Sequence, residues 1–213
     1  MSEALARILA AAARGEFPPP DGTTTVIPQP NPRDAGVLAF TAHSVVFTDE
    51  DPEWVRATLA ATASDPLAAS MNPSFLSALM ARTGRSMNTI DLLTVAPARA
   101  GRPSVPLREI EDPAHPRVAR ALKFRDEVRV WAADGGVLVL GRGVAGRWEA
   151  AIEVDLAARG AGLGVELALA ARHLVPGGGH VWAQQSPGNA RSVRTFQQAG
   201  FRPVGSEALL VAG

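Results

Sequence analysis

The amino-acid sequence predicts an α/β protein whose sheet is mostly antiparallel and flanked by helices. Residues 127–131 and 148–155 alternate polar and apolar side chains, as half-buried strands do, and 137–140 is the returning strand of a hairpin between them. Other segments carry apolar residues at helical spacing, as in the helix expected over 163–175. That helix follows a strand through a glycine-rich turn, which makes this part of the chain the most informative.

The first half of the chain is predicted to add helices and strands of its own. An Ala-rich helix over 3–14 is expected to end at Gly15. Residues 18–34 are dense in Pro, Thr and Asn, and we expect an extended or poorly ordered linker there. Residues 37–48 are rich in Val, Phe and Thr, which indicates a strand or a hairpin.

Helix signals then follow at two prolines. Pro52 comes directly after an acidic turn and is acceptable in the first turn of a helix. A second helix is expected after Asn72 and Pro73, with Gly84 as its stop. Residues 89–95 indicate another strand.

A proline-rich stretch is the best candidate for a domain boundary. Five prolines interrupt regular structure over twenty residues: Pro97, Pro103, Pro106, Pro113 and Pro116. A long loop inside one domain would give the same pattern. We divide the chain into an N-terminal α/β segment, 1–97, and a second domain, 98–213, whose first helix is expected over 117–124.

Composition excludes several classes of protein. Apolar residues make up 46% of the chain and charged residues 20%, as in ordinary soluble proteins. Lys+Arg and Asp+Glu both number 21, so no net charge draws the chain to nucleic acid or to an anionic membrane. The absence of cysteine excludes disulfides, thiolate metal sites and a cysteine nucleophile. Because neither a membrane span nor a signal peptide is indicated, a cytoplasmic protein is the expectation.

Two glycine motifs lie on either side of the strand at 148–155. Gly141, Gly143 and Gly146 match the dinucleotide-binding pattern G-x-G-x-x-G. That site needs a helix directly after the glycines, whereas a strand follows here. We therefore interpret the first motif as a hairpin turn.

The second motif, residues 159–164, lies between a strand and a helix. Its small residues let backbone N–H groups approach an anion, and the helix start adds unpaired amides with a partial positive charge. The segment is therefore predicted to bind a phosphate group. The alternative is a tight strand-to-helix turn in which glycine serves the backbone geometry alone.

Two blocks of sequence resemble the GCN5-related N-acetyltransferase (GNAT) superfamily. The Arg-x-x-Gly-x-Gly pattern of 159–164, after a strand that ends in valine, is similar to the acetyl-CoA loop of that family. Residues 189–201 resemble its other signature, a helix that begins at asparagine and closes in Gly-Phe. Asn189 is a good N-cap, and Gly200 suits the left-handed position after a helix. The resemblance covers residues 117–211.

The resemblance implies a mixed, mostly antiparallel sheet and acetyl transfer from acetyl-CoA to an amine, of a small molecule or of a protein. The N-terminal segment, 1–97, is then the candidate for completing the cleft that binds the amine acceptor. From the residues themselves we expect no metal and no nucleic-acid or membrane partner, and the oligomeric state is left open. The loop amides would hold the pyrophosphate, the edge of the preceding strand would pair with the pantetheine arm, and the asparagine-initiated helix would contact the cosubstrate from the other side. The implied binding residues are Val154, Leu156, Arg159, Gly160, Ala161, Gly162, Leu163, Gly164, Asn189 and Ser192.

The catalytic residues of the family are not matched. The usual acid is a tyrosine four residues before the Gly of Gly-Phe, a position held here by Phe196 in a chain without tyrosine. The usual glutamate position falls at Trp148. Glu149 and Glu153 are the candidates for a base, although alternation turns them to the opposite face, and we favour a solvated strand face for both. A non-catalytic acyl-CoA-binding or regulatory module is therefore the alternative function.

The histidines do not predict a metal site. The four are scattered without ligand spacing: His43, His115, His173 and His180. His43 is expected to be a structural histidine with satisfied hydrogen bonds, the alternative being a residue that lines an acceptor pocket.

Overall fold

Residues 3–62, 65–111 and 113–212 are described by the computed structural model, and they divide into two units. One unit comprises the residues up to Leu92 together with the segment from Val204 onward, and the other runs from Leu93 to Pro203. The final strand, grouped with the second domain in the division at residue 97, lies in the first unit. That division, and the role it gives to residues 1–97, stays a prediction.

Helices and strands follow one another along the chain, in places as runs of three of the same kind. The helices are α1 (Glu3–Arg14), α2 (Pro52–Thr62), α3 (Pro66–Ala69), α4 (Pro73–Thr83), α5 (Pro116–Phe124), α6 (Leu163–Leu174) and α7 (Ala190–Gln198). The strands are β1 (Thr24–Ile27), β2 (Ala35–Phe40), β3 (His43–Phe47), β4 (Arg85–Ser86), β5 (Ile90–Pro97), β6 (Arg108–Ile110), β7 (Asp126–Ala133), β8 (Gly136–Arg142), β9 (Trp148–Val154), β10 (His180–Gln185) and β11 (Arg202–Ala212). Short 3₁₀ turns lie at Val144–Gly146, Leu156–Ala158 and Pro176–Gly178.

In the first unit, the predicted hairpin β2–β3 lies between β1 and β11. β2 pairs antiparallel with both β3 and β11, and β1 pairs parallel with β3. Helices α2 and α4 bury Val55 and Phe75 in one apolar cluster with Val37 and Val46 of the hairpin. The predicted ends of α4 are confirmed, because Asn72 caps its start and Gly84 closes it in the left-handed conformation.

The expected linker over 18–34 is wrong in part. Four of its residues form β1, because their backbone pairs with β3 over Thr24↔Ser44 to Ile27↔Phe47. Surrounding prolines and polar residues conceal this short run, and strand pairing depends on a partner distant in sequence. The sequence also did not predict α3, whose start is capped by Asp65 accepting a hydrogen bond from the Leu67 amide.

In the second unit, the strands lie in the order β5-β10-β9-β8-β7-β6. Strands β7, β8 and β9 pair antiparallel in sequence order, which confirms the three-strand meander predicted over 127–155. Strand β6, which the sequence did not predict, pairs antiparallel with β7, and β10 joins β9 in parallel. Across the two units the pairing is mixed and mostly antiparallel, with helices beside the strands. The predicted fold class is confirmed.

Helix α6 supplies the centre of the second unit's core. Its buried residues are Leu167, Ala168, Ala170 and Ala171. The apolar residues at helical spacing are thus fully buried at the centre of the helix, whereas Leu163 and Leu174, at its two ends, are only half-buried. Complete burial of the Leu167 side chain contributes roughly 1.5–3 kcal/mol. Among the described helices, none has the length and apolar character needed to cross a membrane.

Candidate functional site

The parallel strands β9 and β10 pair only where both begin. Val181 faces Trp148 and Trp182 faces Glu149, and the described residues of the two strands form no further pair. From Ala150 onward, β9 therefore has a strand partner only on the side of β8.

Backbone parity shows which groups of β9 lie on the unpaired side. The Asp155 N–H donates to the Gly135 carbonyl at 2.9 Å, on the β8 side. Neighbouring residues of a strand direct their backbone groups to opposite sides, so Val154 and Ile152 direct theirs away from β8. The Nε of Arg159 donates to the outward Val154 carbonyl at 3.1 Å, which agrees with this parity.

The segment after β9 turns sharply into α6. Gly160 and Gly162 have φ of +91° and +88°, in the left-handed region that glycine adopts without strain. A Cβ at either position would meet no atom within 4 Å. Gly162 is the N-cap of α6 and provides no side-chain hydrogen bond to it. The space in front of the helix start is therefore open.

The amides of this segment face that open space without a protein acceptor. The Gly162 carbonyl accepts from the N–H groups of Val165 and Glu166 at 2.9 and 3.3 Å. Within the described part of the chain, residues 160–164 donate no backbone hydrogen bond to another residue. Unpaired amides at a helix start carry partial positive charge, so they suit an anion such as a phosphate.

Helix α7 approaches α6 at the last glycine of the motif. A Cβ on Gly164 would lie 3.2 Å from Cγ2 of Thr195, so this glycine permits close packing between the two helices. Asn189 caps α7, as predicted, by accepting a hydrogen bond from the Ser192 N–H at 3.1 Å. A contact of Asn189 and Ser192 with a cosubstrate stays a prediction. Leu156, also in the predicted set, is 80% exposed.

The expectation of a solvated face is wrong for Glu149. Its side chain is 5% exposed and accepts from Nε of Arg147 at 2.8 Å, Nε of Arg125 at 2.9 Å and the Val144 N–H at 3.3 Å. Burial raises the pKa of this carboxyl, but the charges and hydrogen bonds of the two guanidinium groups outweigh it and lower the pKa to about 2. Glu149 is therefore ionised and fully engaged.

The first glycine motif makes room for this charge cluster of Glu149, Arg147 and Arg125. A Cβ on Gly143 would overlap the Glu149 carboxylate, and one on Gly141 would lie 2.9 Å from Cβ of Arg125. Residues 143–147 also connect β8 to β9, as the hairpin interpretation requires. Sequence reasoning missed both arginines and the cluster; two glycines followed by a strand glutamate were the available signal.

The charge cluster lies where β9 and β10 begin to diverge. Glu149 and Trp182 form the last residue pair between the two strands. The Arg147 guanidinium lies over the Trp182 ring, 5.3 Å from its centroid. The cluster therefore joins the two strands by side chains at the point where their backbone pairing ends.

Glu153 matches the solvated face that was expected of it. Its side chain is 40% exposed and accepts from Nε of Arg117 on α5 at 3.1 Å. An exposed ion pair of this kind contributes about 0–1 kcal/mol. Of the two carboxylates, Glu153 is the more exposed.

The position of the usual family acid belongs to the core. Phe196 is 3% exposed and packs edge-to-face against Phe201, with ring centroids 4.9 Å apart. Gly200 has a φ of +83°, and Phe201 donates its N–H to the Phe196 carbonyl at 3.0 Å, which confirms the predicted helix end. No hydroxyl is present at this position. The described residues also contain no group of three or more His, Asp or Glu that could hold a metal ion.

Comparison with known proteins gives structural relatives only. No family model matches the chain, and no curated protein matches it. A GCN5-related N-acetyltransferase from Kribbella flavida is similar at 14% identity and a TM-score of 0.45, covering 99% of this chain and 95% of its own.

Two further solved structures are similar over smaller parts. An acetyltransferase from the GNAT family from Colwellia psychrerythraea has 8% identity and a TM-score of 0.44, with 83% of this chain and 81% of that chain covered. One from Novosphingobium aromaticivorans has 17% identity and a TM-score of 0.39, with 61% and 68% covered. All three carry the name of the family that the two sequence blocks resemble. At such identities and TM-scores, the function has to be argued from this chain's own residues.

Proposed function

We propose that the second unit is an N-acetyltransferase that binds acetyl-CoA along residues 154–164 and transfers the acetyl group to an amine. The supporting observation is that two features adjoin along the chain. The backbone groups of β9 that face away from β8 have no strand partner after Glu149, and the strand leads directly into a loop whose amides have no backbone acceptor among the described residues.

The residues of this path fit the chemical parts of acetyl-CoA. The outward N–H and carbonyl of Ile152 have no strand partner in the described part of the chain and suit the amide groups of a pantetheine arm, in the way that an added peptide strand pairs with a sheet. The outward Val154 carbonyl is held by Nε of Arg159, so the pairing would continue there through the Val154 N–H. The amides of 160–164 and the positive end of α6 suit a diphosphate. The bare Cα positions of Gly160 and Gly162 leave room for it.

Bound acetyl-CoA supplies an activated acyl group that a neutral amine attacks. This chain's contribution is to orient the thioester and to accept the amine proton. Glu149 is a poor proton acceptor because two guanidinium groups hold it ionised. Glu153 carries the exposed carboxylate, so we assign it, or water that it orders, as the acceptor of that proton.

A non-catalytic acyl-CoA-binding module is the second candidate. Two observations favour it: Phe196 offers no proton to a leaving thiolate, and the carboxylate at the divergence point is engaged by two arginines. A module of this kind would bind the cosubstrate without turnover.

Isothermal titration with acetyl-CoA tests the binding site. The full chain should bind with a dissociation constant of about 1 µM. Gly162→Asp, which places a negative charge at the start of α6, should weaken binding by about tenfold or more. Gly177→Asp is the matched control, since Gly177 lies beyond the other end of α6 with φ of +74° and no atom within 4 Å of a Cβ. Absence of heat at millimolar acetyl-CoA would contradict the proposal.

Thiol release across a panel of amines separates the two candidates. Turnover with any amine, lowered in Glu153→Gln, supports the transferase. Binding without release of thiol across the panel supports the module.

A further inference from the structure

The first unit contains an aspartate–histidine–threonine relay that takes no part in the site above. Nδ1 of His43 lies 2.9 Å from Oδ1 of Asp21, and Nε2 of His43 lies 3.0 Å from Oγ1 of Thr25. The three side chains form one chain of hydrogen bonds across β1 and β3. His43 is thus satisfied as expected, but one of its partners is a hydroxyl.

The contacts of Asp21 fix the positions of the protons. Its Oδ1 also accepts from the N–H and the hydroxyl of Thr23, at 2.9 and 2.8 Å. The hydrogen bond from His43, followed by those from Thr23, lowers the pKa of Asp21 to about 2. An ionised carboxylate only accepts, so the proton of a neutral His43 lies on Nδ1. Nε2 then carries the lone pair, and Thr25 donates its hydroxyl to it.

This arrangement is the one that activates a hydroxyl as a nucleophile. The nucleophile is within hydrogen-bond reach of a base, and a third group orients that base. His43 is 7% exposed, which restricts its ring to this orientation, while Asp21 is 40% exposed. Thr25 itself is half-buried and does not belong to the fully buried core.

Backbone donors lie beside the hydroxyl. The carbonyls of Thr23 and Ile27 accept from β3, so the backbone of Thr25 faces β3 as well. Thr24 and Val26 therefore direct their N–H groups to the other side, where no described strand pairs with β1. A donor next to the nucleophile is what stabilises the oxyanion formed during acyl transfer.

We propose that Thr25 is a nucleophile that takes the acyl group of small activated esters, with His43 as its base and Asp21 as the group that orients His43. The Thr25 oxygen forms a bond to the ester carbonyl carbon while its proton moves to Nε2. The bond from that carbon to the leaving alcohol then breaks, and the alcohol takes the proton from Nε2. The product is a threonine ester, and water can release the acid by the same steps.

This activity does not depend on acetyl-CoA. A chain that binds no acetyl-CoA would still be labelled at Thr25, and an active N-acetyltransferase could lack the label. The two proposals therefore fail separately.

The test is reaction of the full chain with para-nitrophenyl acetate, followed by peptide mapping by mass spectrometry. We expect one acetyl group on Thr25 that hydroxylamine removes, since it is an ester. Stable amide labelling of side chains is confined to Lys123, the single lysine of the sequence. No ester at Thr25 would overturn the proposal.

Four variants distinguish a relay from a structural hydrogen-bond network. His43→Gln should lower the labelling rate by about 100-fold, the usual contribution of a general base. Thr25→Val should abolish the label, and Thr25→Ser should retain it. Thr83→Val is the matched control, because Thr83 is equally half-buried but donates its hydroxyl to the Leu79 carbonyl of α4, and this variant should be labelled at Thr25 at the unchanged rate.

An unchanged labelling rate in folded His43→Gln would overturn the proposal. Circular dichroism establishes whether that variant folds. Should it not fold, Asp21→Asn decides: the relay requires slower labelling at Thr25, and an unchanged rate contradicts it.

Discussion

The two glycine motifs of the second unit use the same residue for opposite reasons. In the segment 141–146, glycine is needed because side chains already fill the space, with Arg125 against Gly141 and Glu149 against Gly143. In the segment 159–164, Gly160 and Gly162 have no atom within 4 Å of a Cβ, and positive φ is what requires glycine. The first motif protects a buried contact, whereas the second leaves a surface open.

The two motifs should therefore respond differently to substitution, the first in stability and the second in ligand binding. A side chain added at Gly141 or Gly143 must displace part of a buried ion pair, so its effect should appear in the free energy of unfolding. A side chain added at Gly160 or Gly162 meets only solvent or a ligand. Its effect should appear mainly in the affinity for that ligand.

The largest effect is expected for Glu149→Gln. Both Arg125 and Arg147 would keep their charges in a buried place without the carboxylate, which costs about 3–5 kcal/mol of the free energy of unfolding. Urea titration of the variant and the natural chain measures it. A loss below about 1 kcal/mol would show that water reaches the cluster.

Gly143→Ala should lower the free energy of unfolding by about 3 kcal/mol, because the added methyl group displaces the same carboxylate from its two arginines. The two changes act on one contact, so the double variant should lose far less than the sum of the single losses. Gly146→Ala is the control, with φ of +76° and no atom near a Cβ, and backbone strain alone should cost about 1–2 kcal/mol. Additive losses in the double variant would contradict the shared contact.

Acid should weaken the charge cluster over a defined range of pH. The folded pKa of Glu149 is about 2, against an ordinary value of 4.5. The stabilisation is complete above pH 4.5 and is lost as the pH falls toward about 2, because the unfolded chain takes up the proton first. The difference in urea midpoint between the natural chain and Glu149→Gln should therefore shrink over this range. A constant difference would refute the ionised state.

Gly160→Ala should cost only about 1–2 kcal/mol of stability, as expected for an alanine at positive φ. Gly177→Ala shares that strain and should cost the same. The two variants should differ in titration with acetyl-CoA, which only Gly160→Ala should weaken. Equal affinities would mean that glycine serves the turn geometry alone.

The smallest effect is expected for Arg117→Ala. Its ion pair with Glu153 lies on the same strand face as the charge cluster but is exposed, at 35% and 40% for the two side chains. Its removal should change the free energy of unfolding by at most about 1 kcal/mol. A larger loss, measured by the same urea titration, would indicate a role for α5 beyond this pair.

The sequence predicted elements best where local chemistry decides them. Helices α4 and α7 begin and end as expected, because a cap depends on residues within one turn. Asn72 and Asn189 cap their starts, and Gly84 and Gly200 close their ends. Strand β1 was missed because its pairing depends on β3, which no local pattern reports. The three-strand meander was predicted since alternation and turn glycines agree there.

The candidate site was predictable in part for the same reason. The strand–turn–helix context of 159–164 is local, and it is this context that the structure confirms; anion binding by the turn stays a prediction. The role of Glu149 was not predictable, because alternation shows which face a residue takes but not whether that face is covered. Arg125 covers it from across the sheet, and Gly143 leaves the space for it.

Strands β9 and β10 separate after their last residue pair, Trp182 and Glu149. Five residues of β9 extend beyond this last pair, a length of roughly 16 Å at the usual rise of a strand. A rotation of β9 by about 5° at the last pair would displace the end of the strand by more than about 1 Å, which is enough to alter the alignment of a reacting group. The range of acyl donors accepted by the proposed site should therefore be adjustable by substitution of Arg147 or Trp182, neither of which belongs to the proposed binding residues.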